Sequence, residues 1–151
     1  MLTVFTRRDL KSIILCLLSI YKSEIGGFIG RTRLMKLLFL ADYKSLKMRG
    51  KKLTNITWIK WYYGPFSRKV LDTLDIMEES GEVEVEHVEG IGHFYSISSE
   101  KDIEGLLKKD EEEILRSIVK AYGNLPLPKL LEKVYSLEEV AEKEIGEVLL
   151  K

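Results

Sequence analysis

The chain has 151 residues, a length typical of one domain. With 45% hydrophobic and 32% charged residues it can bury a core, which excludes a disordered chain. Its apolar runs are shorter than the ~20 residues of a membrane-spanning helix, and the first residues lack the order of a signal peptide. The single cysteine, Cys16, excludes a disulfide framework and a multi-cysteine metal site. We therefore expect a soluble cytoplasmic protein.

The net charge of zero hides a strong polarity along the chain. Residues 1–70 contain 15 Lys and Arg against 3 Asp and Glu, a balance of +12, and residues 71–151 have a balance of −12. Such asymmetry either marks a charged partner surface or is cancelled when the two halves fold against each other. Glutamine is absent from the sequence and Lys, Arg and Glu are abundant, a combination typical of proteins from hot environments.

Hydrophobic periodicity predicts two helices in the first third of the chain. The first places apolar residues from Leu10 to Tyr21 on one face, and Thr6 is its expected N-cap. The second runs from about residue 31 to 48 and ends at Gly50. Its inward residues are Leu34, Leu37, Leu38, Ala41 and Leu46, and its remaining surface carries Arg31, Arg33, Lys36, Lys44, Lys47 and Arg49.

The middle of the chain is expected to combine strands with one short helix. Residues 57–62 are rich in β-branched and aromatic side chains and predict a strand, and Pro65 suits the first turn of a following helix. Residues 82–97 alternate apolar and polar side chains around a glycine turn, which predicts a β-hairpin with one apolar and one acidic face. Further helices are predicted at about 110–122, 128–135 and 137–150. These elements indicate an α+β domain, mainly helical, with a short strand, a β-hairpin and winged-helix-like elements.

The residue types needed for catalysis are not found together. Cys16 lies in the most apolar helix, where a buried and inert thiol is expected. His87 and His93 face each other across the predicted hairpin, with Glu86 or Glu89 as a further ligand, but two histidines without a third well-spaced ligand are weak evidence for a metal. We therefore predict a protein that is not an enzyme and that needs no cofactor and no metal.

Nucleic-acid binding is one of two functions that the sequence leaves open. The order of the predicted elements resembles a winged-helix domain, and the basic segment 31–52 offers charges for phosphate contacts. Four glutamates on the predicted hairpin would repel a phosphate backbone, so the basic segment alone supports this alternative. Its candidate residues are Arg31, Arg33, Lys36, Lys44, Lys47, Lys51 and Lys52.

Protein binding is the other function, and a cluster of five aromatic residues within nine positions favours it. Aromatic rings at this density either fill a core or form the hot spots of a protein interface. We expect Trp61 to be buried, and Trp58 or Tyr62 to be left for a partner. The candidate partner-binding residues are Trp58, Tyr62, Tyr63 and Phe66.

The second helix and the aromatic segment together resemble the Panacea (SocA-like) antitoxin domain. That pattern has Lys-Leu-Leu-Tyr and Ala on a helix, followed downstream by a Trp-x-Tyr-Gly-Pro block. The matching residues are Leu34, Lys36, Leu37, Leu38, Ala41, Trp61, Gly64 and Pro65. The chain departs from the pattern at Phe39, Asp42 and Lys60, where tyrosine, glutamine and alanine are common. It is also similar to YwgA-like uncharacterised bacterial proteins, and some relatives are phage-associated.

The resemblance implies a non-catalytic domain that binds and neutralises a toxin, or delivers it to a protease. We assign residues 1–98 to a Panacea-like helical and wing core, and residues 99–151 to a C-terminal helical extension packed on the same domain. The motif residues are expected to be mainly structural, with Gly64 in a turn and Trp61 in the core. A toxin is the expected protein partner and no membrane is involved. The sequence does not decide between a monomer and a homodimer.

Overall fold

The structure, a computed structural model, describes residues 9–98 and 105–151. Within these residues it is an α+β domain in which helices dominate, as the sequence predicts. The elements in chain order are α1 (Leu10–Glu24), β1 (Ile29–Gly30), α2 (Arg31–Arg49), β2 (Trp58–Trp61), β3 (Gly64–Phe66), α3 (Arg68–Glu79), β4 (Val83–Val88), β5 (Gly92–Ile97), α4 (Lys109–Tyr122), α5 (Leu127–Ser136), α6 (Glu138–Ala141) and β6 (Val148–Leu149).

The described strands form two antiparallel sheets of three strands each. In the first sheet β5 lies between β1 and β4, and β4 and β5 are the predicted hairpin. Its apolar face contains the buried Val83, while Glu84 and Glu86 are exposed on the other face. In the second sheet β2 lies between β3 and β6, and Trp58 pairs with Leu149.

Helix α2 is the central element of the fold. It packs against α4 and α5 and against strands of both sheets, and every residue from 34 to 42 is buried. A helix enclosed on most sides needs apolar residues around its whole circumference, which explains the uninterrupted run from Leu37 to Ala41. Two ionisable residues, Lys36 and Asp42, are buried with them. The prediction that Lys36 lies on the helix surface is therefore wrong.

The ends of the first two helices follow ordinary capping chemistry. Asp9 is the N-cap of α1, and its carboxylate accepts a hydrogen bond from the backbone N–H of Ser12 at 2.9 Å. Thr6, the predicted N-cap, lies outside the described residues. Gly50 ends α2 as predicted, in a left-handed conformation with φ of 76°.

Two local predictions are wrong, and one short strand is not predicted at all. Pro65 lies in β3, which pairs with β2, and α3 begins only at Arg68. Residues 137–150 do not form one helix, because α6 ends at Ala141 and the chain returns to β2 as strand β6. The two-residue strand β1 has no counterpart among the predicted elements, since Ile29 and Gly30 are too few to show an alternation.

The two halves of the chain share one hydrophobic core, and α4 packs on both α1 and α2. Oppositely charged residues of the two halves also meet at the surface. These ion pairs join Lys11 to Glu82 at 3.3 Å, Lys47 to Glu139 at 2.6 Å and Arg49 to Asp110 at 3.2 Å. The polarity along the sequence is thus partly cancelled in space. None of the helices in the described segments is long and apolar enough to cross a membrane.

Candidate functional site

An apolar groove with a volume of about 400 Å³ lies between the first turns of α2 and the turn that joins β2 to β3. Aromatic rings near this turn and leucines of α3 and α5 form most of its lining, namely Trp61, Tyr63, Phe66, Leu71, Leu127 and Leu131. Two further lining residues, Arg31 and Lys36, are cationic. None of the described lining residues is acidic, so the groove combines apolar walls with charge of one sign.

The two parts of the sequence motif meet at this groove. Lys36 on α2 donates a hydrogen bond from Nζ to the carbonyl oxygen of Pro65 at 3.2 Å. A Cβ at Gly64 would lie 3.3 Å from Cε of Lys36 and 3.5 Å from Cζ of Tyr135, and the φ of +100° also favours glycine there. The hydroxyl of Tyr135 donates to the carbonyl oxygen of Tyr62 at 3.0 Å, which ties α5 to the same turn.

Among the described residues, Lys36 is buried without a neutralising partner. Its side chain is only 4% exposed, and this burial lowers the pKa of the ammonium group to about 8. An ammonium group has three N–H donors, and in the described segments the carbonyl of Pro65 is the one acceptor that it contacts. A buried charge without a counter-ion lowers stability, so a lysine in this position is a candidate for binding an anion.

The burial predicted for Trp61 is wrong, and of Trp58 and Tyr62, the two residues of which one is predicted to be left for a partner, Tyr62 is the exposed one. Trp58 is fully buried, and its indole N–H donates to Asp42 at 2.8 Å while its ring packs edge-on against Phe39. Trp61, which the sequence predicts in the core, is 43% exposed. Residues three apart on a strand point to opposite faces, and only the face of Trp58 meets an acceptor on α2. Trp58 therefore has no surface to offer a partner.

Three consecutive aromatic residues, Trp61, Tyr62 and Tyr63, form an exposed cluster that we call the aromatic turn. Tyr62 and Tyr63 are 67% and 76% exposed, and the rings of Trp61 and Tyr62 meet edge to face with centroids 5.0 Å apart. Phe66, the remaining candidate, is half-buried in the groove wall. Contiguous apolar exposure of this kind is typical of an interaction site.

The basic residues of segment 31–52 are mostly engaged within the fold. Arg33 donates to the carbonyl oxygen of Leu125 at 2.6 Å, and Lys44 donates to the hydroxyl of Ser117 at 2.7 Å. Intramolecular hydrogen bonds or ion pairs hold six of the seven candidates, namely Arg31, Arg33, Lys36, Lys44, Lys47 and Lys52. Because these residues are held by separate partners within the fold, the structure gives no support to a continuous surface on this segment that would follow a phosphate backbone.

Cys16 and the histidine pair complete the set of residues singled out from the sequence. Cys16 is fully buried, and burial raises the pKa of its thiol to about 11, which makes the thiolate scarce at neutral pH. His87 and His93 pair directly across β4 and β5 as predicted. Within residues 9–98 and 105–151, no three His, Cys, Asp or Glu side chains are grouped so as to hold a metal ion.

Comparison with known protein families connects this geometry to a family. The model of the family described as antitoxin SocA-like, Panacea domain, matches residues 34–139. The chain belongs to this family. No curated protein and no solved structure matches the chain. The match begins at Leu34, the first motif residue of α2, and includes all of α5.

Two contributions to the site of this Panacea domain are not evident from the sequence. Tyr135 is not part of the motif, yet its ring lies against Gly64 and its hydroxyl holds the aromatic turn. Lys36 is predicted at the surface because charged residues are rarely buried. The one sequence signal for its burial is its place in the apolar run of α2, where residues on every side are hydrophobic.

Two departures from the family pattern have structural roles in this chain. Asp42 accepts hydrogen bonds from the backbone N–H of Thr54 at 2.8 Å, from its hydroxyl, and from Trp58. Lys60 donates from Nζ to the carbonyl oxygens of Val140 at 2.9 Å and Lys143 at 2.8 Å. Asp42 thus fixes the buried end of β2, and Lys60 connects the same strand to the segment that leads into β6.

Proposed function

We propose that this chain is a cytoplasmic antitoxin that neutralises a protein toxin by binding it directly, without catalysis. The observation that carries the proposal is the aromatic turn, which stands exposed beside an apolar groove in a domain of an antitoxin family. Tryptophan and tyrosine are the residues most often found as hot spots of protein interfaces, because each buries a large area and also offers a polar group.

The fold supports this assignment because contacts from α2 and α5 hold the backbone at the aromatic turn. Lys36 donates to the carbonyl oxygen of Pro65 just after the turn, and Tyr135 donates to the carbonyl oxygen of Tyr62 within it. An interface that is ordered before binding loses less conformational entropy when the partner arrives. The side chains of Tyr62 and Tyr63 are free to contact a partner, since the polar contact at the turn is made by the backbone.

The test uses the tagged protein in lysate of its own source, with and without nuclease, and mass spectrometry of the bound material. We expect one small protein to be captured in stoichiometric amounts and to remain after nuclease treatment. Expression of that protein alone is expected to stop growth, and co-expression of the chain is expected to restore it. Capture that depends on nucleic acid, or no captured protein at all, would contradict the proposal.

A double variant, Tyr62→Ala with Tyr63→Ala, tests the aromatic turn itself. Truncating hot-spot residues costs about 2 kcal/mol or more, so the variant is expected to lose at least about 30-fold in affinity for the captured protein. The matched control is Ile76→Ala, because Ile76 is also an exposed apolar residue, at 62%, but lies on α3 away from the groove lining. Equal losses in both variants would argue against the aromatic turn as the interface.

A further inference from the structure

The cations at one end of the groove have no carboxylate partner within the described part of the chain. Arg31 donates from Nε and Nη2 to the hydroxyl of Tyr95 at 2.9 Å and 2.6 Å, and Lys36 donates to the carbonyl of Pro65. These contacts position both side chains without neutralising them. In contrast, Lys47 and Arg49 at the other end of α2 pair with carboxylates.

The same end of the groove is the N-terminus of α2, which adds positive potential. Its N-cap is Gly30, which has no side chain to accept from the free backbone N–H groups, and the first turn contains no acidic residue. The partial positive charge at a helix N-terminus stabilises an anion placed there. Lys36 and Arg31 both line the groove, and each of them, like the helix terminus, favours an anion.

We propose that the groove binds a toxin segment in which a carboxylate lies beside apolar side chains, with the carboxylate received at the N-terminus of α2 by Lys36 and Arg31. The occupant follows from charge complementarity, since the described lining is apolar apart from these cations and one threonine. The inference deepens the proposed function and rests on it for the nature of the partner. The carboxylate belongs either to an Asp or Glu side chain or to the C-terminus of the partner chain.

The apolar part of the groove favours apolar side chains beside the carboxylate of the toxin segment. Its lining includes Trp61 and Tyr63 of the aromatic turn and Leu127 and Leu131 of α5. A volume of about 400 Å³ is in the range of specific binding pockets. A free inorganic anion would fill only the charged end and leave the apolar walls exposed, so we expect it to bind far more weakly than the peptide.

Peptide display defines the chemistry of the occupant even before the toxin has been captured. One library presents random peptides with free C-termini and the other presents them internally, with the C-terminus fused to the carrier. We expect enriched peptides to combine apolar residues with Asp or Glu in both libraries if the source is a side chain, and enrichment in the free library alone if it is a C-terminus. Enrichment of peptides without any carboxylate, or of none, overturns the proposal.

The charge contact is then measured on one enriched synthetic peptide and on its neutral analogue, with Asn, Gln or a C-terminal amide in place of the carboxylate. We expect the neutral analogue to bind the unaltered protein at least tenfold more weakly. Lys36→Met is expected to lower the affinity for the carboxylate peptide by a similar factor and to leave the affinity for the neutral analogue unchanged. Such non-additive effects are expected when the two groups are in direct contact. Equal affinity of the two peptides for the unaltered protein overturns the proposal whether or not the variant folds.

Lys44→Met is the matched control, because Lys44 lies on the same helix, is half-buried and donates to a hydroxyl. It is expected to bind both peptides as the unaltered protein does, and losses equal to those of Lys36→Met overturn the proposal. The captured toxin separates this inference from the proposed function. A toxin that binds Lys36→Met as tightly as the unaltered protein keeps the antitoxin function and overturns the groove proposal. Carboxylate-dependent peptide binding without any captured toxin supports the groove proposal and contradicts the antitoxin function.

Discussion

Replacing the buried lysine by methionine tests whether its buried charge lowers the unfolding free energy of the protein. Lys36→Met keeps the length of the side chain and removes its charge. In the native chain Lys36 is 4% exposed, and within the described segments its ammonium group contacts one carbonyl oxygen, that of Pro65. We expect the variant to be as stable as the native chain at pH 7, or more stable, although it loses a buried hydrogen bond.

The size of the effect follows from two opposing contributions. Burial lowers the pKa of Lys36 from 10.5 to about 8. At 1.36 kcal/mol for each pKa unit, the folded state disfavours the charge by about 3 kcal/mol relative to the unfolded state. The carbonyl of Pro65, left without its donor, costs about 1–3 kcal/mol in the variant. The net expectation is a gain in unfolding free energy between zero and about 2 kcal/mol.

The burial of Lys36 also predicts how the unfolding free energy changes with pH. Because the folded pKa is lower than the unfolded pKa, the unfolded chain binds more protons between about pH 8 and 10.5. The unfolding free energy of the native chain therefore rises with pH in this window, relative to that of Lys36→Met. Tyrosines that titrate in the same range are present in both proteins and cancel in the comparison.

The assay is urea unfolding of both proteins, followed by circular dichroism at pH 7 and at pH 10. We expect any advantage of Lys36→Met at pH 7 to be smaller at pH 10, or reversed. A variant that is less stable than the native chain at pH 7 would show that the lysine is a structural donor, since the lost hydrogen bond would then cost more than the about 3 kcal/mol of desolvation that the substitution relieves. If the difference in unfolding free energy between the two proteins is the same at pH 7 and pH 10, burial does not lower the pKa of Lys36, and the reasoning is refuted.

Three further variants or reagents test other parts of the structure. Asp42→Ala is expected to lower the unfolding free energy by about 3 kcal/mol in the same urea assay, because three buried donors lose their acceptor. Gly64→Ala is expected to cost at least about 1 kcal/mol more than Gly26→Ala, since both have positive φ but only Gly64 has side chains within 4 Å of the added Cβ. Equal costs would contradict the close contact. Cys16 is expected to react with a thiol reagent such as DTNB only when the chain unfolds, and rapid labelling of the native protein would contradict its burial.

The elements with a clear internal period can be predicted well from the sequence. Helix α1 and the hairpin β4–β5 each show their period in consecutive residues, and Gly50 marks the end of α2. The segment from 137 to 150 has apolar residues that also fit a helix, but β6 forms there because Val148 and Leu149 pair with β2. That pairing joins residues that are far apart in sequence, and local propensity contains no information about it.

The residues of the aromatic turn can be named from the sequence, but their positions cannot. Alternation along β2 predicts that Trp58 and Trp61 face opposite ways, yet it does not say which face is buried. The outcome depends on Asp42, which provides the acceptor for the indole of Trp58 from another element. The meeting of Lys36 with Pro65 likewise depends on the packing of α2 against β3 and is not visible as a sequence pattern.

Because α2 is central to the fold, a partner bound in the groove should affect how fast the protein is degraded. Because α2 is enclosed by elements from the whole chain, its amides should exchange with solvent only when the protein unfolds globally. A partner that docks on α2 therefore binds the folded chain alone, and at a hundred times its dissociation constant it adds about 2.7 kcal/mol to global stability. Proteolysis that proceeds through the unfolded chain then slows by about 100-fold. We therefore expect free copies to be degraded faster than copies that hold a partner.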